Sequence, residues 1–273
     1  MLKSSLAFIA TCVAAGWFIF HPHVEDDTTL QKLVQSSDPS SRTEAGGLVT
    51  YCQQVREGVS KELVLQDHKC SIKADTSELF LFNQNGDFEV IEEFDLVHLT
   101  LDDNLIDAKE AWFNYNTNIL STKETTLTKN ETVVKSDEAH YDGKQLILTG
   151  NVSVDSEMGH IIADKAIVDH KREENKISAS KIILIGHVRM INGEKTQYAL
   201  ADHVEYFPDE KVMIFESGDR VLFYDREKQM QLSAKKIRAH RGIEDEVQGY
   251  GDVRFCFGAE ELDKFKDQFK WKS

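Results

Sequence analysis

The chain has 273 residues, enough for one large domain or two ordinary ones with a sizeable core. Its 32 Lys and Arg stand against 47 Asp and Glu, a net charge of −15, which repels a phosphate backbone over most of the surface and excludes nucleic acid as a partner. With 41% hydrophobic and 29% charged residues and only three prolines, the composition is that of an ordered protein, neither disordered nor membrane-filling.

The first element is the run SSLAFIATCVAAGWFIF, residues 4–20, which carries no charge, follows Lys3 and gives way to HPHVEDD. Such a run is an export signal or a membrane anchor. A cleavable signal ends in small residues, whereas Trp17, Phe18, Ile19 and Phe20 close this one, which favours a retained transmembrane anchor over residues 1–23. About 17 apolar residues is the short limit for a spanning helix. Lys3 and the acidic far side put the amino terminus inside and the body outside the cytoplasm. His21 and His23 enclose Pro22 beside this run and read as a solvated membrane flank, not as a metal-ligand pair. Residues 24–58 form a polar linker with Pro39, Gly46 and Gly47 and one short helix around residues 30–34. Cys52, Cys70 and Cys256 are odd in number, so at most one internal pair forms, and Cys52 with Cys70 is the nearest; the thiols read equally well as ordinary small residues.

Residues 59–258 change character. Strand-like runs follow one another, KELVLQ at 61, ELFLFN at 78, DLVHLTL at 95, QLILTGNVSV at 145, KIILIGHVRM at 181, KVMIFE at 211, VLFYD at 221 and DVRFCF at 252. Hairpin signals stand at Asn85-Gly86, Asp142-Gly143, Asn192-Gly193 and Pro208-Asp209. Self-similarity runs through this region. SDEAHY at 136, ADKAIV at 163, ADHVEY at 201 and AKKIRA at 234 share a small or acidic start and then apolar residues at alternate positions, with weaker copies ADTSEL at 74 and AKEAWF at 108. After each of the four clear copies a glycine precedes a valine, as in Gly150-Asn151-Val152, Gly186-His187-Val188, Gly218-Asp219-Arg220-Val221 and Gly251-Asp252-Val253. The extra residue in the third fits a bulge. Unequal spacing excludes a strict solenoid and suits stacked hairpins with variable loops. The tail, residues 259–273, has Leu262, Phe265 and Phe269 on one stripe and is expected to form a short helix.

A hairpin with one apolar face cannot hide it alone, so the stacked units must build a shared interior. Alternation assigns to it Leu146, Leu148, Val152, Val154, Ile182, Leu184, Val188 and Met190, then Val204, Tyr206, Val212, Ile214, Val221, Phe223, Val253 and Phe255. Mid-strand glycines are expected to let the sheet fold sharply.

The pieces SDEAHYDGKQLILTGNV, ADKAIVDHKREENKI…GHVRM and LADHVEYFPDEKVMIFESGDRV resemble the repeats of the OstA-like family, the LptA and LptC type of periplasmic lipopolysaccharide-transport proteins, over residues 65–257. The apolar N-terminal run is more similar to the LptC form, although the chain is longer than the simplest LptC-like one. The resemblance implies an all-β, twisted open β-jellyroll that binds lipopolysaccharide, its acyl chains lying along the apolar positions named above. It also implies edge-strand addition to other Lpt jellyrolls and to an inner-membrane ABC exporter, in a bridge towards the outer membrane, with residues 4–20 in the inner membrane and the main domain in the periplasm.

The rival reading is a structural or scaffold protein, a closed β-stack with a filled interior that works through its edges. Asp137, Asp164 and Asp202 recur in three units, which points to a turn or strand-entry role, since catalysis needs one site rather than several equal ones. His140, His187 and His203 fall on the polar parity and read as surface residues. With no phosphate loop, zinc-ligand spacing or nucleophile elbow, the sequence points to no catalytic residue, no metal and no cofactor.

Overall fold

The computed structural model describes residues 48–65, 68–84, 87–101, 104–156, 159–173, 176–240 and 246–258. The expected membrane anchor, the short helix near residue 30 and the C-terminal helix lie outside them. The described chain is all β: β1 (Leu48–Leu65), β2 (His68–Gln84), β3 (Asp87–Leu101), β4 (Asn104–Asn114), β5 (Ile119–Lys129), β6 (Thr132–Tyr141) and β7 (Gln145–Ser156) lead the order. There follow β8 (Gly159–Glu173), β9 (Lys176–Asn192), β10 (Gln197–Phe207), β11 (Val212–Asp225), β12 (Met230–His240), β13 (Glu246–Tyr250) and β14 (Arg254–Phe257). Each strand from β1 to β13 pairs with its neighbour in sequence, giving one antiparallel meander whose two edges are open among the described residues. Strand β14 pairs with β12 alongside β13, so the two are halves of one last strand broken at Gly251-Asp252.

The turns obey local chemistry. Asp142 accepts the backbone N–H groups of Lys144 and Gln145, and Asn192 accepts those of Thr196 and Gln197, each an Asx arrangement that holds a hairpin. The β10–β11 turn closes by Lys211 N–H donating to the Pro208 carbonyl. Three sequence expectations change. Strand β1 starts at Leu48, not at 59, because residues 48–57 continue the ladder with β2. KVMIFE and VLFYD are one strand, β11, interrupted in its middle. Cys52 and Cys70 are not ladder partners, since Cys52 sits opposite Phe80 and Cys70 opposite Leu63 in the β1–β2 pairing.

Almost every strand is creased at its middle, and the creases line up across the sheet. On β1, β3, β5, β7 and β9 the crease holds a residue with positive φ, namely Gly58, Leu96, Glu124, Gly150-Asn151 and Gly186-His187. On the strands between, it holds the second residue of each repeat copy, Asp75, Lys109, Asp137, Asp164, Asp202 and Lys235, all exposed. From the β6–β7 pair onward these positions are bulges where the register shifts and the strand turns, whereas at Gly58, Asp75, Leu96, Lys109 and Glu124 the strands turn with the register kept. The aspartates are therefore mid-strand crease residues rather than the turn or strand-entry residues expected.

On the inner side of the fold line the pairs are a small residue against a short branched one: Ala74 opposite Val59, Ala108 opposite Val97, Ser136 opposite Thr125, Ala163 opposite Val152, Ala201 opposite Val188 and Ala234 opposite Val221. Two halves of a sheet that fold together leave little room at the hinge, so a larger side chain would hold them apart. This is the physical meaning of the repeated small residue. The crease divides the sheet into two flaps. One carries the hairpin turns from odd to even strands, the other those from even to odd strands. With no helix or second sheet over the apolar face among the described residues, the flaps cover each other.

Candidate functional site

The covered face forms two buried clusters. The C-terminal one runs from Val134 to Ala239 and the N-terminal one from Leu63 to Tyr141, and Leu146 packs against both. The C-terminal interior is aliphatic and alanine-rich, with Val204, Val221 and Ala234 at 0% exposure.

Of the sixteen positions assigned to the interior by alternation, Leu148, Val152, Ile182, Leu184, Val188, Val204, Tyr206 and Val221 are buried members of the C-terminal cluster. Leu146, Val154, Met190 and Phe223 are partly buried and pack against it. The remaining four do not join. Val212 is buried outside the cluster and Ile214 is half-buried, while Met213 and Phe215 take the inward parity. The reason is the length of the β11 crease: Ser217, Gly218, Asp219 and Arg220 leave the ladder between Glu216 and Val221, so inward residues keep odd numbers on both sides and the anticipated one-residue parity switch does not occur. Val253 and Phe255 are 40% and 56% exposed, because the last strand has no neighbour beyond it among the described residues. Alternation in the long runs also missed interior residues on β8 and β12, among them Ile161, Ala166, Val168, Leu232 and Ile237. For Ala166, Val168 and Ile237 the signal is the apolar alternation inside the repeat copies ADKAIV and AKKIRA.

The outer side of the crease is polar and internally bonded. Asn151 Nδ2 donates to Asp137 Oδ2 at 2.8 Å, His187 Nδ1 meets Asp164 Oδ2 at 2.7 Å, and the Gly218 N–H and Ser217 Oγ reach Asp202 Oδ2 at 2.9 and 2.6 Å. The Ser217 and Gly218 bonds hold the Asp202 carboxyl below its ordinary range. Arg220 does the same for Asp252. Gly150 and Gly186 have φ of 74° and 77°, and a Cβ on either would collide with the carboxylate of Asp137 or Asp164. The recurring carboxylates thus brace bends. His140 meets Ser121 and His203 lies 3.5 Å from Glu205. Among the described residues no three His, Cys, Asp or Glu gather to hold a metal ion.

The N-terminal interior differs in kind. Phe94 and Phe113 are almost fully buried, and beside them Glu92, 4% exposed, forms an ion pair with Lys61. Lys61 Nζ also donates to the Tyr115 hydroxyl at 2.5 Å, and that hydroxyl donates to Glu92 Oε2 at 2.6 Å. The ammonium lies 4.9 Å from the Phe94 ring centre, and the Phe113 and Tyr115 rings meet edge to face at 4.8 Å. Burial pushes the Lys61 ammonium below its ordinary pKa despite the Glu92 bond, and burial with Glu92 pushes the Tyr115 phenol up. No pattern in the sequence marked these residues, since lone charged side chains read as surface.

Residues 133–244, from β6 to just past β12, match the family model described as LptA/(LptD N-terminal domain) LPS transport protein. The match coincides with the C-terminal cluster. No curated protein matches the chain. Among solved structures, LptH of Pseudomonas aeruginosa, described as the LptA homologous periplasmic component of the conserved lipopolysaccharide transport device, is similar over 47% of this chain and 95% of its own, at 11% identity and a TM-score of 0.39.

Proposed function

We propose that this chain, whose residues 133–244 match the family model of LptA and the LptD N-terminal domain, is a periplasmic bridge component that carries lipopolysaccharide acyl chains between its flaps, without catalysis. The observation that carries this reading is the aliphatic interior of that same segment, which is walled by two flaps of one open sheet rather than sealed inside a closed barrel. Acyl chains inserted there lose contact with water, a gain of about 25 cal/mol per Å2 of apolar surface, and need no polar partner. The net charge of −15 keeps phosphorylated headgroups in solvent. Strand β1 and the broken β13–β14 strand are the sheet's outer strands among the described residues, and free outer strands accept a neighbour by backbone pairing, which suits assembly with other Lpt proteins and with an inner-membrane exporter. Residues 4–20 would anchor the amino terminus in the inner membrane.

The scaffold reading draws support from one observation: Val152, Val204 and Val221 are already buried by the protein itself. Photocrosslinking separates the two. A probe at Leu148 or Leu184 is expected to form a lipopolysaccharide adduct in cells, with none from a probe at Thr149, whose side chain lies on the opposite parity. Adducts to the protein alone at Leu148 and Leu184 would replace the transport reading with the scaffold. Leu184→Glu should abolish lipid binding with the fold retained if the flaps part readily, and should unfold the domain if the interior is a fixed core.

A further inference from the structure

Resting on the lipid-carrying reading, we propose that Lys61, Glu92 and Tyr115 form a latch that keeps the N-terminal half of the interior shut, so that acyl chains open and occupy only the C-terminal half. The three residues span the fold. Lys61 lies on the flap of the β1–β2 turn, whereas Glu92 and Tyr115 lie on the opposite flap, near the β2–β3 and β4–β5 turns. Their bonds therefore cross the interior, beyond the crease at Gly58 and Leu96, and tie flap to flap.

The chemistry of cargo entry differs on the two sides of Leu146. In the C-terminal half the clustered side chains of the two flaps, Val152 and Val188 on one and Leu184, Val204 and Ile237 on the other, are all apolar, and an acyl chain sliding between the flaps replaces hydrocarbon contact with hydrocarbon contact. The buried Asp225 there accepts from Gln197 and from the Lys228 N–H, all within one flap, so it does not resist parting. In the N-terminal half an acyl chain would have to come between the half-buried Lys61 ammonium and the buried Glu92 carboxylate, and it offers neither of them a hydrogen bond. The aromatic rings around Lys61 add to the closure. The latch lies wholly outside residues 133–244, so it belongs to the part of the chain that the family match does not reach.

The test places a photocrosslinking residue at Leu99 or at Leu184 in the full chain and exposes it to lipopolysaccharide micelles. Leu99 lies in the N-terminal cluster and Leu184 in the C-terminal one. Adduct yield at Leu99 should be at least about tenfold below that at Leu184, and the double variant Lys61→Met/Glu92→Leu, which removes both charges and orphans neither, should bring the two yields together. Equal yields in the unaltered protein, or a Leu99 yield that stays low in the double variant, would overturn the latch. No adduct at Leu184 would sink the lipid reading instead. Hydrogen exchange without lipid then decides the latch alone: Glu92→Gln should speed exchange several-fold in β1–β4 and leave β8–β10 unchanged, and either no rise or a rise across both regions rejects it.

Discussion

The two halves of the sheet obey one rule of folding with different materials. Both crease each strand at the same row and both place a small residue inside the bend, yet β7 and β9 of the C-terminal half turn through a positive-φ pair, Gly150-Asn151 and Gly186-His187, while β1, β3 and β5 turn through one such residue each, Gly58, Leu96 and Glu124. Both interiors are mostly aliphatic, but the first is so almost throughout, with Tyr206 and Phe215 its buried aromatics, whereas the second adds Phe94, Phe113 and an ion pair on the buried Glu92. The difference teaches that the crease is a matter of backbone geometry and hinge volume, whereas what fills the fold is free to vary, and with it what the fold can hold.

Four substitutions press on this comparison. The largest effect is expected from Glu92→Leu, which leaves Lys61 in the interior without its carboxylate; a loss of about 3 to 5 kcal/mol in urea denaturation is expected, and a loss below about 1 kcal/mol would mean the pair is not structural. Next, Gly186→Val forces a branched residue into a left-handed bend against Asp164 and should cost about 2 to 4 kcal/mol by the same measurement. At the matching row of the other half the sign reverses. Leu96→Gly relieves a left-handed leucine that is 55% exposed and should be neutral or stabilising by about 1 kcal/mol, a change visible in Tm. The smallest effect is at Asp202, whose carboxyl is held below its unfolded value of 3.8. A depressed carboxyl stabilises the fold above the unfolded pKa and loses that contribution as pH falls through the folded one. Asp202→Asn should therefore flatten the stability profile between about pH 2 and pH 5, by a few tenths of a kcal/mol at most because the group is exposed.

Much of the C-terminal half was legible. Alternation placed β7 and β9 correctly because neither crease changes which parity faces inward, and Leu148, Val152, Leu184 and Val188 lie in the interior. Even the two weak repeat copies mark real creases, at Asp75 and Lys109. Legibility failed where polarity and position part company. Strand β5, ILSTKETTLTK, went unread because its inward residues include Thr122 and Thr125, whose hydroxyls satisfy each other at 2.7 Å inside the bend. Ile214 was misplaced because the length of the β11 excursion is set by contacts across strands. Lys61 and Glu92 gave no sign at all, since only the folding of one flap on the other brings two charges distant in sequence together, with Glu92 buried and Lys61 partly so. The anchor and both predicted helices lie beyond the described residues.

The uninterrupted order of pairing from β1 to β13 bears on how the protein is made. Every strand finds its partner one hairpin away, so contact order is low for an all-β protein and no strand must wait for a distant segment. A chain delivered amino terminus first could lay down its sheet progressively. The residues tying Lys61 to Glu92 and Tyr115 are all present once β4 and the turn after it have emerged, long before β8 exists. The latched half could therefore serve as the template on which the openable half is built, strand by strand.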